Sequence, residues 1–267
     1  MLDTCAKYKV IGSIMHTQHR GHATELASDA SQKGIDYVVA VGGDGTINEV
    51  AKGLLNTSTT MGIIPRGSGN GLARHLGIDH TGEAAISQLF SSKAKKIDTL
   101  LVNNALSLNV SGIGFDGHVA NLFGDRKLRG LLGYVLITLK EYFKFPEFEI
   151  EGTVENKTFK HHAFIIALAN SSQYGNDIRI APGASVSDGL VDISIIKKVP
   201  LTNVRFLISF LRGSLKSSPS CEMFTTSAIT LKSGIPLPYH IDGEPCGLTD
   251  TFEIRVLPNS LSVLIPE

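Results

Sequence analysis

A chain of 267 residues, 42% hydrophobic and 19% charged, holds enough material for one large domain or two modest ones and excludes the disordered and fibrous classes. Its 25 basic and 25 acidic side chains cancel, which argues against a protein that coats nucleic acid. Three cysteines with no Cys-x-x-Cys pair speak against a disulfide framework or a zinc site. The longest nearly apolar run, 131–139, is far short of the roughly 20 residues that span a bilayer, so a reducing, cytoplasmic location with peripheral membrane contact is expected.

Along the chain, Tyr8 to Met15 reads as a strand, and Thr24 to Lys33 as a helix stopped by Gly34. Tyr37 to Val41 is a continuous β-branched run, the pattern of a strand buried on both faces. Gly42-Gly43-Asp44-Gly45-Thr46 follows, and then Ile47, Val50, Ala51, Leu54 and Leu55 recur at the spacing of one helix face. Thr46 and Glu49 have capping-box spacing, which predicts that the helix begins at the glycine turn. The pattern repeats once, with a short strand over Met61 to Ile64, a glycine-rich stretch from Pro65 to Gly71, and helical texture from Leu72. From about Asp98 the texture changes to strands at Thr99–Val102, Ala105–Val110, Phe148–Val154, Ala163–Ala169, Leu190–Ile196, Ala228–Lys232, Tyr239–Asp242, Thr251–Leu257 and Leu261–Ile265. Two mostly helical inserts, 128–143 and 201–214, interrupt them. This pattern predicts an α/β domain over 1–97 and a β-sandwich-like domain over 98–267.

Eight of the 27 glycines lie between positions 42 and 71. At the first turn they let the backbone bend sharply and approach a ligand, while the following helix supplies unpaired N–H groups and a favourable dipole, an arrangement that suits phosphate. Asp44 beside phosphate oxygens would be repulsive without a cation between them, so Mg²⁺ is the expected third party. The competing reading is a plain strand-to-helix turn in which Asp44 only caps. A second glycine turn, Pro65-Arg66-Gly67-Ser68-Gly69-Asn70-Gly71, weighs against that, because neighbouring strands would bring both turns to one edge of the sheet. Neither turn is a Walker A sequence or a Gly-x-Gly-x-x-Gly dinucleotide fingerprint.

The pair formed by Val41-Gly42-Gly43-Asp44-Gly45-Thr46-Ile47-Asn48-Glu49-Val50 and Ile64-Pro65-Arg66-Gly67-Ser68-Gly69-Asn70 resembles the diacylglycerol kinase catalytic domain family, which includes bacterial lipid kinases and the sphingosine and ceramide kinases. The first motif alone is shared with NAD kinases. The resemblance implies a Rossmann-like, NAD-kinase-like nucleotide-binding domain followed by a β-sandwich, and an ATP-dependent lipid kinase using Mg²⁺, with a diacylglycerol-like lipid as acceptor. It implies that Thr17, Gly42, Gly43, Asp44, Gly45, Thr46, Ile47, Asn48 and Ser68 hold ATP. Asn109 to Asp116 resembles the opening of the family's second domain. Ile180 to Ala184 with Ser187 to Asp192 resembles a segment whose Asp and neighbouring carbonyls bind a structural Mg²⁺, which points to Ser185, Asp188 and Leu190. His240-Ile241-Asp242-Gly243-Glu244-Pro245 resembles the Asp-Gly-Glu motif that supplies the proton acceptor. Asp242 and Glu244 are both candidates, and Asp44 is the proposed base in some relatives. Read on its own, Asp-Gly-Glu is an ordinary solvated turn, and Asp188-Gly189 a turn before a strand.

Family members open with a strand ending in an Asn-Pro-x-Ser-Gly-like turn, and no such segment occurs here, so the nucleotide domain is expected to lack its first strand. That leaves a nucleotide-blind lipid-binding protein as a rival to the kinase, beside sphingoid-base, ceramide or NAD-kinase-like activity. An unpaired edge also makes a homodimer an expectation. Val204, Leu207, Ile208 and Leu211 at helical spacing, with Lys197, Lys198, Arg205, Arg212 and Lys216, have the composition of an interfacial helix, as do Arg126, Lys127 and Arg129 before Leu131; a core helix with a basic outer face fits equally. The histidines, including His16, His19 and His22, are not expected to bind metal.

Overall fold

The computed structural model describes residues 8, 10–78, 82–124, 138–154, 157–175, 178–200, 202–203 and 218–267. The stretches 128–137 and 204–214, with the basic and apolar positions expected there to meet lipid, lie outside the described residues. The chain forms two compact units, one from residues 1–99 with 258–267, the other from 100–257.

The first unit contains helix α1 (His22–Gln32), strand β1 (Tyr37–Gly42), helix α2 (Asp44–Leu54), strand β2 (Thr60–Pro65), short helix α3 (Gly71–His75), helix α4 (Gly82–Leu89) and most of strand β3 (Lys93–Val102). β1 runs parallel to β2 from Tyr37 opposite Thr60 to Gly42 opposite Pro65, so the two glycine turns leave the same end of adjacent strands. β2 is buried along its whole length and also runs parallel to the last turnless stretch of the chain, with Met61 opposite Val263. α1 ends as its sequence predicts: Gly34 has φ 72 and the Ile35 N–H donates to Ala30 O, closing the helix with a left-handed residue. α2 buries Ile47, Val50, Ala51 and Leu54, each large side chain contributing roughly 1.5–3 kcal/mol when removed from water. It approaches α1 so closely that a Cβ on Gly53 would stand 2.5 Å from Thr24 O.

Three expectations for this unit are corrected. Residues 10–18 form no strand: they are irregular and exposed, Ile11 fully so, and they pair with no strand among the described residues. β1 is not buried on both faces, since only Ala40 is buried while Tyr37 and Val41 are about half exposed; its one pairing among the described residues is with β2, which makes it an edge. Thr46 and Glu49 form no capping box. The α2 N-cap is Gly43, without a side-chain cap, and Glu49 reaches across to α1 instead.

The second unit is a mostly antiparallel β structure. Its elements are strand β4 (Ala105–Ser107), β5 (Val110–Gly114), helix α5 (Phe115–Gly124), β6 (Phe148–Val154), β7 (Lys157–Ala163), β8 (Ile165–Ala169), β9 (Gln173–Gly175), β10 (Ile178–Arg179), β11 (Val191–Ile196), β12 (Cys221–Thr226), β13 (Ala228–Ile241) and the first part of β14 (Glu244–Ile265). Within it the strand order is β14-β13-β5-β8-β11-β12, and β6 links β13 to β7. The core gathers Leu100, Ile113, Ile150, Ile166, Leu168, Ile193, Leu231 and Phe252. Two predicted single strands are split. Ala105–Val110 breaks at Leu108-Asn109, and Ala163–Ala169 breaks at Phe164, whose N–H donates to Ile196 O while its own carbonyl accepts the Phe115 N–H.

Burial pushes the Cys221 thiol up to about 11, with the Glu222 charge adding to it, whereas Cys246 is exposed. Brief maleimide treatment of the native protein at neutral pH is expected to modify Cys246 and spare Cys221, read by peptide mass spectrometry, because only thiolate reacts. Equal labelling of the two would contradict this burial.

Candidate active site

In the first unit the two glycine turns are tied together by Asp44. Its Oδ2 accepts the Asn70 N–H at 2.9 Å and its Oδ1 the Gly71 N–H at 3.1 Å. Asp44 therefore caps the helix that follows the other turn and not its own. Asn70 itself sits at φ 50, accepts the Gly67 N–H at 2.9 Å and donates to Gly67 O at 2.7 Å, which closes the second turn on itself. The Arg66 N–H donates to Gly42 O at 2.7 Å, a further link between the turns. The approach is close enough that a Cβ on Gly67 would clash, 2.7 Å from Gly43 Cα, while one on Gly43 would be tight, 3.2 Å from Gly67 Cα.

These bonds fix the entrance to α2. The N–H groups of a helix's first turn have no intrahelical partner, and here no side chain caps them. Gly45 and Ser68 are exposed, Gly42, Gly43 and Thr46 half-buried, and Ile47 and Asn48 buried. The residues of the two glycine turns are thus brought together, and Thr17 is exposed in the irregular stretch 10–18. Glu49 has a role that the sequence reading missed. Its two carboxylate oxygens accept the Gly21 N–H at 2.8 Å and the Ala23 N–H at 3.2 Å, anchoring α1 on α2. Nearby, one ligand atom each from His19, His22 and Glu25 lie within 4.8 Å of one another. The imidazoles are stacked 11° from parallel, so their in-plane lone pairs do not converge on a common ion.

In the second unit Asp242 and Gly243 have φ 50 and 85, two successive left-handed residues that make the tight turn between β13 and β14, with Ile241 paired to Glu244. The half-buried Asp242 carboxylate is bonded within the fold. It accepts the Ser107 hydroxyl at 2.7 Å, the Leu108 N–H at 2.8 Å and the Asn109 N–H at 3.0 Å. The split between β4 and β5 frees those two amides from any ladder. Glu244, two residues on, is exposed.

Behind the turn lies a buried pair. His240, 3% exposed, faces Asp116 Oδ2 through Nε2 at 2.9 Å, and its Nδ1 receives the Gly243 N–H at 3.1 Å. Burial pushes its pKa down, while the charge and hydrogen bond of Asp116 and the charge of Asp242 push it up and prevail. The Gly243 N–H works against that gain, because a proton on Nδ1 would meet a donor in place of a lone pair. Two glycines make room for the pair. A Cβ on Gly112 would overlap Asp116 Oδ2 and the His240 ring, and one on Gly117 would overlap Pro238 and Tyr239.

The remaining candidates, Ser185, Asp188 and Leu190, share one loop before β11. Asp188 Oδ1 accepts the Leu190 N–H at 3.0 Å, and the Ser185 hydroxyl accepts the Ser187 N–H at 3.3 Å.

Compared with known proteins, residues 1–102 match the diacylglycerol kinase catalytic domain, and residues 109–265 match the YegS C-terminal NAD kinase beta sandwich-like domain. A diacylglycerol kinase of Bacillus subtilis (strain 168) is 30% identical over 237 residues, covering 85% of this chain and 77% of its own. A protein of Chromohalobacter salexigens named "Probable lipid kinase YegS-like" is 28% identical over 263 residues, covering 96% of this chain and 84% of its own. The crystal structure of a diacylglycerol kinase from Bacillus anthracis str. Sterne superposes with a TM-score of 0.72 at 20% identity, covering 94% of this chain and 84% of the other, which establishes likeness of fold.

Proposed function

We propose a reaction on one premise: the chain belongs to the diacylglycerol kinase catalytic domain family, carries the YegS-type C-terminal domain, and is a kinase of the diacylglycerol kinase and YegS lipid-kinase type. The reaction is transfer of the γ-phosphoryl group of ATP to the free hydroxyl of a diacylglycerol-like lipid, giving a phosphatidic-acid-like product. The observation that carries it is the Asp44 carboxylate, which ties two glycine turns into one frame beside a helix N-terminus that no side chain caps. Such a frame presents backbone N–H groups to phosphate oxygens with little reorganisation.

Phosphoryl transfer depends mainly on positioning and charge neutralisation. The α2 N-terminus and the backbone of Gly42 to Thr46 bind and orient the phosphates, and the exposed Ser68 hydroxyl is suited to a further oxygen. On the acceptor side Glu244 takes the hydroxyl proton, late in the transfer. We assign Asp242 to holding the turn, because its oxygens already accept hydrogen bonds from Ser107, Leu108 and Asn109, whereas Glu244 is exposed.

The donor set before β11 fits Mg²⁺ in kind, since the Ser185 and Leu190 carbonyls and the Asp188 carboxylate are all hard oxygens, and Asp188 Oδ2 remains beside the oxygen bonded to Leu190. At the phosphates Asp44 keeps one lone pair on each oxygen for a cation. Mg²⁺, when bound, supplies neutralisation of phosphate charge. Among the described residues no helix is long and apolar enough to cross a membrane, and we assign lipid contact to a peripheral surface.

The test is ADP release with Mg²⁺-ATP and mixed micelles containing diacylglycerol, ceramide, sphingosine or no lipid, with NAD as a soluble control. The expected result is release that depends on diacylglycerol, with a product that comigrates with phosphatidic acid. Preference for ceramide or sphingosine would redirect the substrate, and NAD phosphorylation or ATP binding without any turnover would overturn the reading.

A further inference from the structure

We propose that His240 is a positioning residue that holds the Asp242-Gly243-Glu244 turn in its left-handed form, as the neutral ring with its proton on Nε2. The assignment rests on the reading of this turn as the acceptor end of the reaction, and on a geometry independent of it. Gly243 N–H is the donor at Nδ1, so the Nδ1 lone pair must be unprotonated; Asp116 Oδ2 is an acceptor at Nε2, so the proton belongs there. The ring is buried and gripped from both ends, with β13 carrying it and α5 carrying Asp116. α5 comes within reach of the ring because Gly112 and Gly117 present no Cβ to it.

The consequence concerns the residue after Gly243. Asp-Gly suits a turn of this type, yet left-handed φ still costs Asp more than Gly, so the local sequence alone does not hold one conformation fully. Two side-chain anchors remove that freedom here: the Asp242 carboxylate from one side and His240 Nδ1 from the other. Glu244 leaves the turn in one direction as a result. A misplacement of about 1 Å of a reacting group costs on the order of 100-fold in rate, which is the size of effect this anchor protects.

The first arm of the test uses the unaltered protein. Long-range ¹H–¹⁵N correlation at the pH of the activity assay is expected to show His240 with Nδ1 unprotonated and Nε2 protonated; the opposite tautomer or a doubly protonated ring overturns the proposal. The second arm compares H240N, whose Oδ1 can replace Nδ1 as acceptor, with H240Q, whose amide can replace Nε2 toward Asp116 but leaves Gly243 without its acceptor. Gly243 amide exchange is expected to quicken about tenfold or more in H240Q and to stay near the wild-type rate in H240N, with the β8 amides unchanged in both. In turnover, kcat is expected to fall about 10- to 100-fold in H240Q, with the KM for ATP unchanged, and about threefold or less in H240N. Equal exchange and equal kcat in the two variants overturn the proposal. Absence of any lipid kinase activity in the wild type would remove the functional reading while the tautomer and exchange arms still decide the role of His240.

Discussion

Asp44→Asn is expected to lower lipid-dependent ADP release by about 100-fold or more while the protein remains folded. The substitution keeps one acceptor oxygen but turns an amide N–H₂ toward either the Asn70 or the Gly71 N–H, both of which now meet a carboxylate oxygen. The loss of one charge-assisted hydrogen bond is about 1.5–3 kcal/mol, modest against the roughly 5–15 kcal/mol that holds a domain folded. The damage to function is expected to be larger because the second turn is positioned through Asp44, and with it the amides proposed to bind phosphate. Gly67→Ala attacks the same frame from the other side, by driving a methyl group against Gly43 Cα, and should show the same pattern. Circular dichroism melts and the ADP-release assay measure the two effects separately; an Asp44→Asn enzyme that keeps more than half of the wild-type rate would remove Asp44 from the site.

The second large effect separates Asp242 from Glu244. Asp242→Asn is expected to lower the melting temperature by several degrees, because one of the nearly buried donors at Ser107, Leu108 and Asn109 loses its acceptor at a cost of about 1–3 kcal/mol. Glu244→Gln should leave the melting temperature where it is, the side chain being exposed, and lower kcat by about 10²- to 10⁴-fold with little change in the KM for ATP. The reverse pattern, in which Glu244→Gln turns over normally and Asp242→Asn is stable but inactive, would make Asp242 the proton acceptor.

Much of the first unit was legible because its signals are local. A β-branched run, a Gly-Gly-Asp-Gly-Thr turn and an apolar helix face follow one another within 20 residues, and the same order recurs from Met61. What the sequence could not convey were the partners that a side chain finds across the fold. Glu49 lies at capping-box distance from Thr46, yet it bonds to Gly21 and Ala23, which sequence spacing has no means of indicating. The residues of β1 have the composition of an interior strand, but burial depends on neighbours, and among the described residues it has one. In the second unit β7 escaped notice because Lys-Thr-Phe-Lys-His-His-Ala is largely polar, as suits the exposed strand it forms. The His240–Asp116 pair is separated by 124 positions, and its only trace in the sequence is the spacing of Gly112 and Gly117 around Asp116. Of the candidate site, the motif glycines and the Asp-Gly-Glu turn were therefore readable, whereas the bonding of Asp242 to Ser107, Leu108 and Asn109 needed the break at Leu108-Asn109.

The Asp242-Gly243 turn also joins the two longest strands of the second unit. Pairing begins at Ile241 with Glu244, and Leu231 with Phe252 and Ile229 with Ile254 pair beyond two register shifts, one near Pro238 and one between Lys232 and Leu237. A slip of one residue would exchange the two faces of β14, sending Phe252 and Ile254 out of the core and their polar neighbours into it. The native alignment of Ile229 and Leu231 with Ile254 and Phe252 therefore depends on those two irregularities as well as on the turn. Two register shifts thus lie between the turn and the core pairs, so a change of conformation at the turn can be absorbed before it reaches Phe252 and Ile254.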